Sequence, residues 1–221
     1  MVAAPTSVRI PVATVVLDGD LTVPVASSGL VLFAHGSGSG RHSPRNRAVA
    51  NALQQRGIGT LLVDLLSGAE AAEDEGDGRY RFNIRLLSDR LVSATDWVRR
   101  RPDLSGMRLG YFGASTGGAA AMIGATVRAS VVSAVVLRGA RSDLADEVAA
   151  RIRCPTLLLA GERDPFIRRA NEVTLTLLRC EKRLDIVPSA THLFEEPGAL
   201  ETVTGRTVEW FDRFLGTHGG M

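Results

Sequence analysis

Ser115 sits in Gly113-Ala114-Ser115-Thr116-Gly117, between an apolar run at 107–114 and a small-residue stretch at 116–128. A strand that turns sharply into a helix holds the residue at the turn in a strained backbone conformation. Its neighbours two before and two after must then be small. Glycine stands at both places, and Gly118, Ala119, Ala120 and Ala121 let the helix behind pack closely. Such a turn exposes the Ser115 hydroxyl beside a helix N-terminus. A serine hydroxyl is a poor nucleophile near neutral pH and needs a base to take its proton.

The sequence has four histidines. His218 lies in the tail, His42 in an irregular stretch, and His35 opens the glycine-rich stretch His35–Gly40, where a hydrogen bond to backbone is its simplest role. His192 follows the last apolar run, in SATHLFEEPG, and is the candidate base. A base needs an acid to fix its tautomer and steady the imidazolium. Asp164 ends LLLAGERD, directly after another apolar run, and with Pro165 it can also cap the next helix. Glu162 and Glu195 compete for the acid's role. The order is Ser115, Asp164, His192, with intervals of 49 and 28 residues. Acyl transfer also requires donors for a developing oxyanion. Thr116 N–H and Ser37 N–H are the candidates, with Gly38 N–H second to Ser37. The same glycine-rich stretch lacks the lysine of a phosphate-binding loop, and no suitable acid follows it for a dinucleotide.

Beside that stretch lie Arg41, Arg45 and Arg47. They are solvated charges at a helix start or, for Arg45, a group that reaches over the cleft to an acidic part of the substrate. The acidic segment 70–77 is a competing partner for the same arginines.

These residues need elements that bring them to one edge. Apolar runs at 8–17, 29–36, 59–66, 107–115, 132–139, 155–161 and 182–188 read as strands. The middle five are nearly continuous, as strands buried on both faces of a parallel sheet are. Helical patterns lie between them at 43–57, 81–102, 115–128 and 168–179, and a last amphipathic one at 198–220. Alternation of this kind implies a sheet with helices on both faces. Ligands collect at the carboxyl ends of its strands, where His35, Ser115, Asp164 and His192 all fall. The first run reads as an edge hairpin turning at Asp18-Gly19-Asp20, and 67–80 as a solvated acidic loop.

The 221 residues suit a single domain over 1–221. They are 45% hydrophobic and 23% charged, with a formal net charge of +2, which gives no reason to expect nucleic acid as partner. No run reaches the roughly 20 apolar residues of a membrane span. The start lacks the pattern of a secretory signal, so a cytoplasmic protein is expected. Cys154 and Cys180 stand outside any metal or CxxC spacing and read as reduced thiols.

The segments FAHGSGSGRHSPRNRAVA, GYFGASTGG, LLLAGERDP and VPSATHLFEEPGAL resemble the α/β-hydrolase superfamily, in particular dienelactone hydrolase-like proteins. They are similar to a bacterial subgroup with members fused to phosphoribosyltransferase domains. The resemblance runs from about residue 28 to the C-terminal helix. It implies an α/β-hydrolase fold, a mostly parallel central sheet flanked by helices, with no cap domain; no inserted lid separates the last strands, so the cleft is expected to be open and shallow. It also implies a triad of Ser115, Asp164 and His192. Dienelactone hydrolase proper uses a cysteine where this chain has Ser115. The expected activity is therefore serine-dependent hydrolysis of a small-molecule ester, lactone or thioester, without metal or organic cofactor. A homodimer is left open. The alternative is an accessory or binding module on the same fold.

Overall fold

The computed structural model describes residues 4–216; His218 lies outside them. One eight-stranded sheet is built from β1 (Thr6–Val12), β2 (Val15–Thr22), β3 (Gly29–Ala34), β4 (Gly59–Val63), β5 (Arg108–Ala114), β6 (Val132–Arg138), β7 (Thr156–Gly161) and β8 (Lys182–Val187). Their spatial order is β1-β2-β4-β3-β5-β6-β7-β8. The β1–β2 and β2–β4 pairs are antiparallel and all others parallel. Every residue of β3, β4 and β7 is buried, which is why their sequences do not alternate. At the edge, β1 alternates buried and exposed residues and carries Pro11, which cannot donate to a further strand.

Helices cover both faces. On one, α3 (Ile84–Arg100) and α4 (Thr116–Val127) bury Leu87, Leu91, Ala94 and Val98 against the alanine stripe of α4. On the other, α1 (Pro44–Gln55) and α7 (Ala199–Leu215) bury Val49, Leu53, Val203, Phe211 and Leu215 over Phe33 and Phe112. Ser43 caps α1 by accepting from Asn46 N–H, and Pro44 stands in the first turn. α6 (Pro165–Leu177) follows β7.

Three local expectations are corrected. The first hairpin turns at Ala13-Thr14, with Ala13 at φ 47°, and Asp18, Gly19 and Asp20 lie inside β2, where Asp20 holds Arg47. The acidic segment is a helix, α2 (Gly68–Asp77). Ser67 accepts from Glu70 N–H while Glu70 accepts from Ser67 N–H, a reciprocal cap, and Gly78 ends the helix in the left-handed region. Buried Asp74 accepts from the N–H groups of Tyr80 and Arg81, fixing the return of the chain. Finally, the stretch after β6 forms a single 3-10 turn and α5 (Asp146–Ala149), where no element was expected.

Candidate active site

The carboxyl edge of the sheet carries all four groups. Ser115 joins β5 to α4 at φ 49° and ψ −122°, a region that costs a non-glycine residue energy. The turn is wedged against β3. A Cβ on Gly117 would lie 2.2 Å from Ala34 O and 2.4 Å from His35 O, and one on Gly36 would lie 2.9 Å from Ser115 Cβ. Only glycine lets the His35–Gly40 loop and the turn touch backbone to backbone.

Asp164, after β7, and His192, after β8, are in direct contact: His192 Nδ1 is 2.6 Å from Asp164 Oδ2. Asp164 Oδ1 also accepts from Ile167 N–H, so it caps α6 as well. The competing acids are occupied elsewhere. Glu162 accepts from Ser189 N–H at 2.7 Å, and Glu195 pairs with Arg45 at 2.5 Å. The imidazole hangs over the strand end beside the turn. Ser115 N–H donates to Arg138 O, and a Cβ on the next residue, Gly139, would lie 3.5 Å from His192 Cε1. Among the described residues no hydrogen bond joins the Ser115 hydroxyl to His192, and His192 Nε2 has no protein partner.

His35 fastens the loop that faces Ser115. Leu65 N–H donates to His35 Nε2 at 3.0 Å, so Nδ1 carries the proton and donates to Gly36 O at 3.0 Å. Loss of solvent lowers the His35 pKa below its ordinary value of 6.5; the Gly36 carbonyl and Asp64 oppose this. A folded-state pKa below the unfolded one means that the unfolded chain binds more protons as pH falls below about 6.5. Stability is therefore expected to fall with pH there, by at most about 1.4 kcal/mol per pH unit from this group. Urea midpoints at pH 7.5 and 5.5 measure the slope. His35→Gln should flatten it, and an unchanged slope would assign the effect to other groups.

Thr116 begins α4 and is 2% exposed. Ser37 N–H, expected to face the substrate, instead donates to Thr116 Oγ1 at 3.0 Å. Beside this loop is a cavity of about 300 Å³ bounded by Ser37, Ser39, Leu66, Ala71 and Leu87. Helix α2 forms one of its walls through Ala71, Asp74 and Glu75. Larger hollows lie between α1 and α7 and against α3 and α4, away from Ser115.

The arginines separate. Arg41 pairs with Asp64 and Arg47 with Asp20, while the acidic helix holds Arg79, Arg81 and Arg90. It does not compete for Arg41, Arg45 or Arg47. Sequence reading missed Arg138, the polar end of an apolar strand. It is 8% exposed and lies 6.0 Å from the Phe112 ring centroid. Arg90, equally buried, pairs with Glu70 at 2.7 Å; Arg138 has no carboxylate partner among the described residues, and its Nη1 has no hydrogen bond. Burial, with Arg45 adding like-charge repulsion, pushes its pKa down to about 10.

The α/β-hydrolase domain family matches residues 27–209 of this sequence. The chain belongs to that family. This α/β-hydrolase is 49% identical to a dienelactone hydrolase from Anabaena variabilis, with TM-score 0.94 over 96% of this chain and 100% of that one. It is dienelactone hydrolase-like. Est1E from Butyrivibrio proteoclasticus shares the fold at 15% identity and TM-score 0.80, over 93% and 97% of the two chains. Proteins from two Mycobacterium tuberculosis strains, named as phosphoribosyl transferases, are 44% identical over 92% of this chain. This chain spans 45% of their length. No helix among the described residues is long and apolar enough to cross a membrane.

Proposed function

We propose that this α/β-hydrolase cleaves carboxylic esters, lactones or thioesters through a covalent acyl-serine. The reading is carried by one observation: a hydrogen-bonded Asp164–His192 pair, 2.6 Å apart, at the same sheet edge as a serine held at positive φ. Ser115 Oγ attacks the acyl carbon as His192 Nε2 takes its proton. Asp164 holds Nδ1–H and steadies the imidazolium. Thr116 N–H, on the first turn of α4, faces the developing oxyanion. The tetrahedral adduct collapses, the leaving oxygen or sulfur takes the proton from His192, and water then attacks the acyl-serine by the same route. The dienelactone hydrolase relative and the family membership support this chemistry. A panel of short aryl esters, lactones and thioesters tests it. Turnover of at least one class, lost in Ser115→Ala, is expected. No turnover of any favours an accessory module instead, and turnover equal in that variant would remove Ser115 as the nucleophile.

Arg45 and Arg138 bear on which esters fit. Arg45 lies on the His192 loop side through Glu195, and Arg138 is a buried cation with no counter-charge among the described residues. An anionic group on the substrate would supply one. Arg45→Ala is expected to lower kcat/KM for a carboxylate-bearing ester by roughly 10- to 100-fold relative to its neutral analogue, the range of a charged hydrogen bond. Equal losses on both esters would mean that Arg45 acts through the Glu195 loop and does not read charge.

A further inference from the structure

We infer that the side-chain hydroxyl of Thr116 is itself a catalytic hydrogen-bond donor, standing between Ser37 N–H and the oxyanion. The inference rests on the acyl-serine reading and adds a group to its machinery. An oxyanion hole in this fold is bounded by the amide after the nucleophile and an amide of the loop after β3. Here the loop amide of Ser37 is already directed at Thr116 Oγ1, 3.0 Å away. That oxygen takes up the N–H that Ser37 would otherwise offer a substrate oxygen. Because Oγ1 accepts from Ser37, its own proton points elsewhere, and among the described residues it has no acceptor.

Two outcomes follow when an oxyanion forms. Either Oγ1 moves aside and Ser37 N–H meets the oxyanion directly, or Oγ1 stays and donates its proton. The second is favoured by three features. A threonine has few side-chain rotamers in the first turn of a helix. Thr116 is 2% exposed, so a rotated hydroxyl would lose a hydrogen bond in a dry site. A hydroxyl that accepts from an N–H also becomes a stronger donor, since chained hydrogen bonds polarise one another. The oxyanion thus meets Thr116 twice, at N–H and at Oγ1–H, with Ser37 N–H acting through the second. No bond is made or broken in this relay.

The test is single-turnover and steady-state kinetics on a short aryl ester. Thr116→Val keeps the shape and removes the hydroxyl. Its kcat is expected to fall by about 10²- to 10³-fold with little change in KM, as for loss of one oxyanion donor. Thr116→Ser should recover most of that loss. A boronic acid, whose tetrahedral adduct on Ser115 puts an oxygen in the hole, should bind Thr116→Val more weakly by a similar factor. A Thr116→Val enzyme as fast as the native one, or faster, would mean that the hydroxyl only plugs the Ser37 amide, and would overturn the inference. Should Thr116→Val fail to fold by thermal melt, Thr116→Ala removes the same hydroxyl without a branched carbon, and the same two outcomes decide. If native protein is labelled at Ser115 by a fluorophosphonate and Ser115→Ala is inactive, undiminished Thr116→Val activity defeats this inference alone. Full activity in Ser115→Ala defeats the acyl-serine reading and this inference together.

Discussion

Ser115→Ala and His192→Ala are each expected to lower ester turnover by roughly 10⁴-fold or more, and the double variant to be hardly slower than either. In the proposed mechanism the serine attacks only as the imidazole takes its proton, so removing the second member after the first removes nothing further. Among the described residues His192 Nε2 has no protein partner, which leaves it free for that proton. Neither side chain supports the core: Ser115 caps nothing with its hydroxyl, and the His192 side chain is 38% exposed. Melting temperatures of both variants should therefore stay near the native value. A double variant much slower than either single one would mean that the two residues act in separate steps.

Asp164→Asn should cost about 10⁴-fold in kcat while leaving stability nearly unchanged. The two effects separate because Asp164 holds two partners with two oxygens. Oδ1 accepts from Ile167 N–H at the start of α6, and Oδ2 meets His192 Nδ1. Asparagine caps helices about as well as aspartate, so the first contact survives. An amide that presents its NH₂ to Nδ1 forces the proton onto Nε2, where a general base cannot carry it. Glu162→Gln should change kcat little, since Glu162 holds Ser189 N–H. If Glu162→Gln is the more damaging, the acid has been misassigned. If Asp164→Asn unfolds the protein, the carboxylate supports the fold beyond the cap that asparagine retains.

The central strands were legible because burial on both faces leaves no polar positions, and β3, β4 and β7 carry none exposed. The tight turn at Ser115 was legible for a steric reason: Gly117 has no room for a Cβ. The Asp164–His192 pairing followed from order along the chain, since residues just past successive parallel strands reach one edge. What failed was local. Composition hid α2, whose acidic residues suggest a solvated loop. The readable signal was Ser67 followed three residues later by Glu70, the reciprocal cap seen in the structure. Asp-Gly-Asp suggests the hairpin turn because those residues favour turns. The chain instead reverses at Ala13 with φ 47°, a position that sequence propensity disfavours for alanine. The Ser37–Thr116 contact joins residues 79 apart through a side chain, so spacing carried no trace of it. Arg138 hid at the end of an apolar run, and only its burial with no counter-ion among the described residues marks it.

The most direct measurement is intact-mass and peptide mapping after brief exposure to a fluorophosphonate. The predicted result is one adduct per chain on Ser115, none on Ser115→Ala, and slow labelling of His192→Ala because the nucleophile has lost its base. An adduct elsewhere, no adduct on the folded native protein, or labelling of His192→Ala at the native rate would contradict the account.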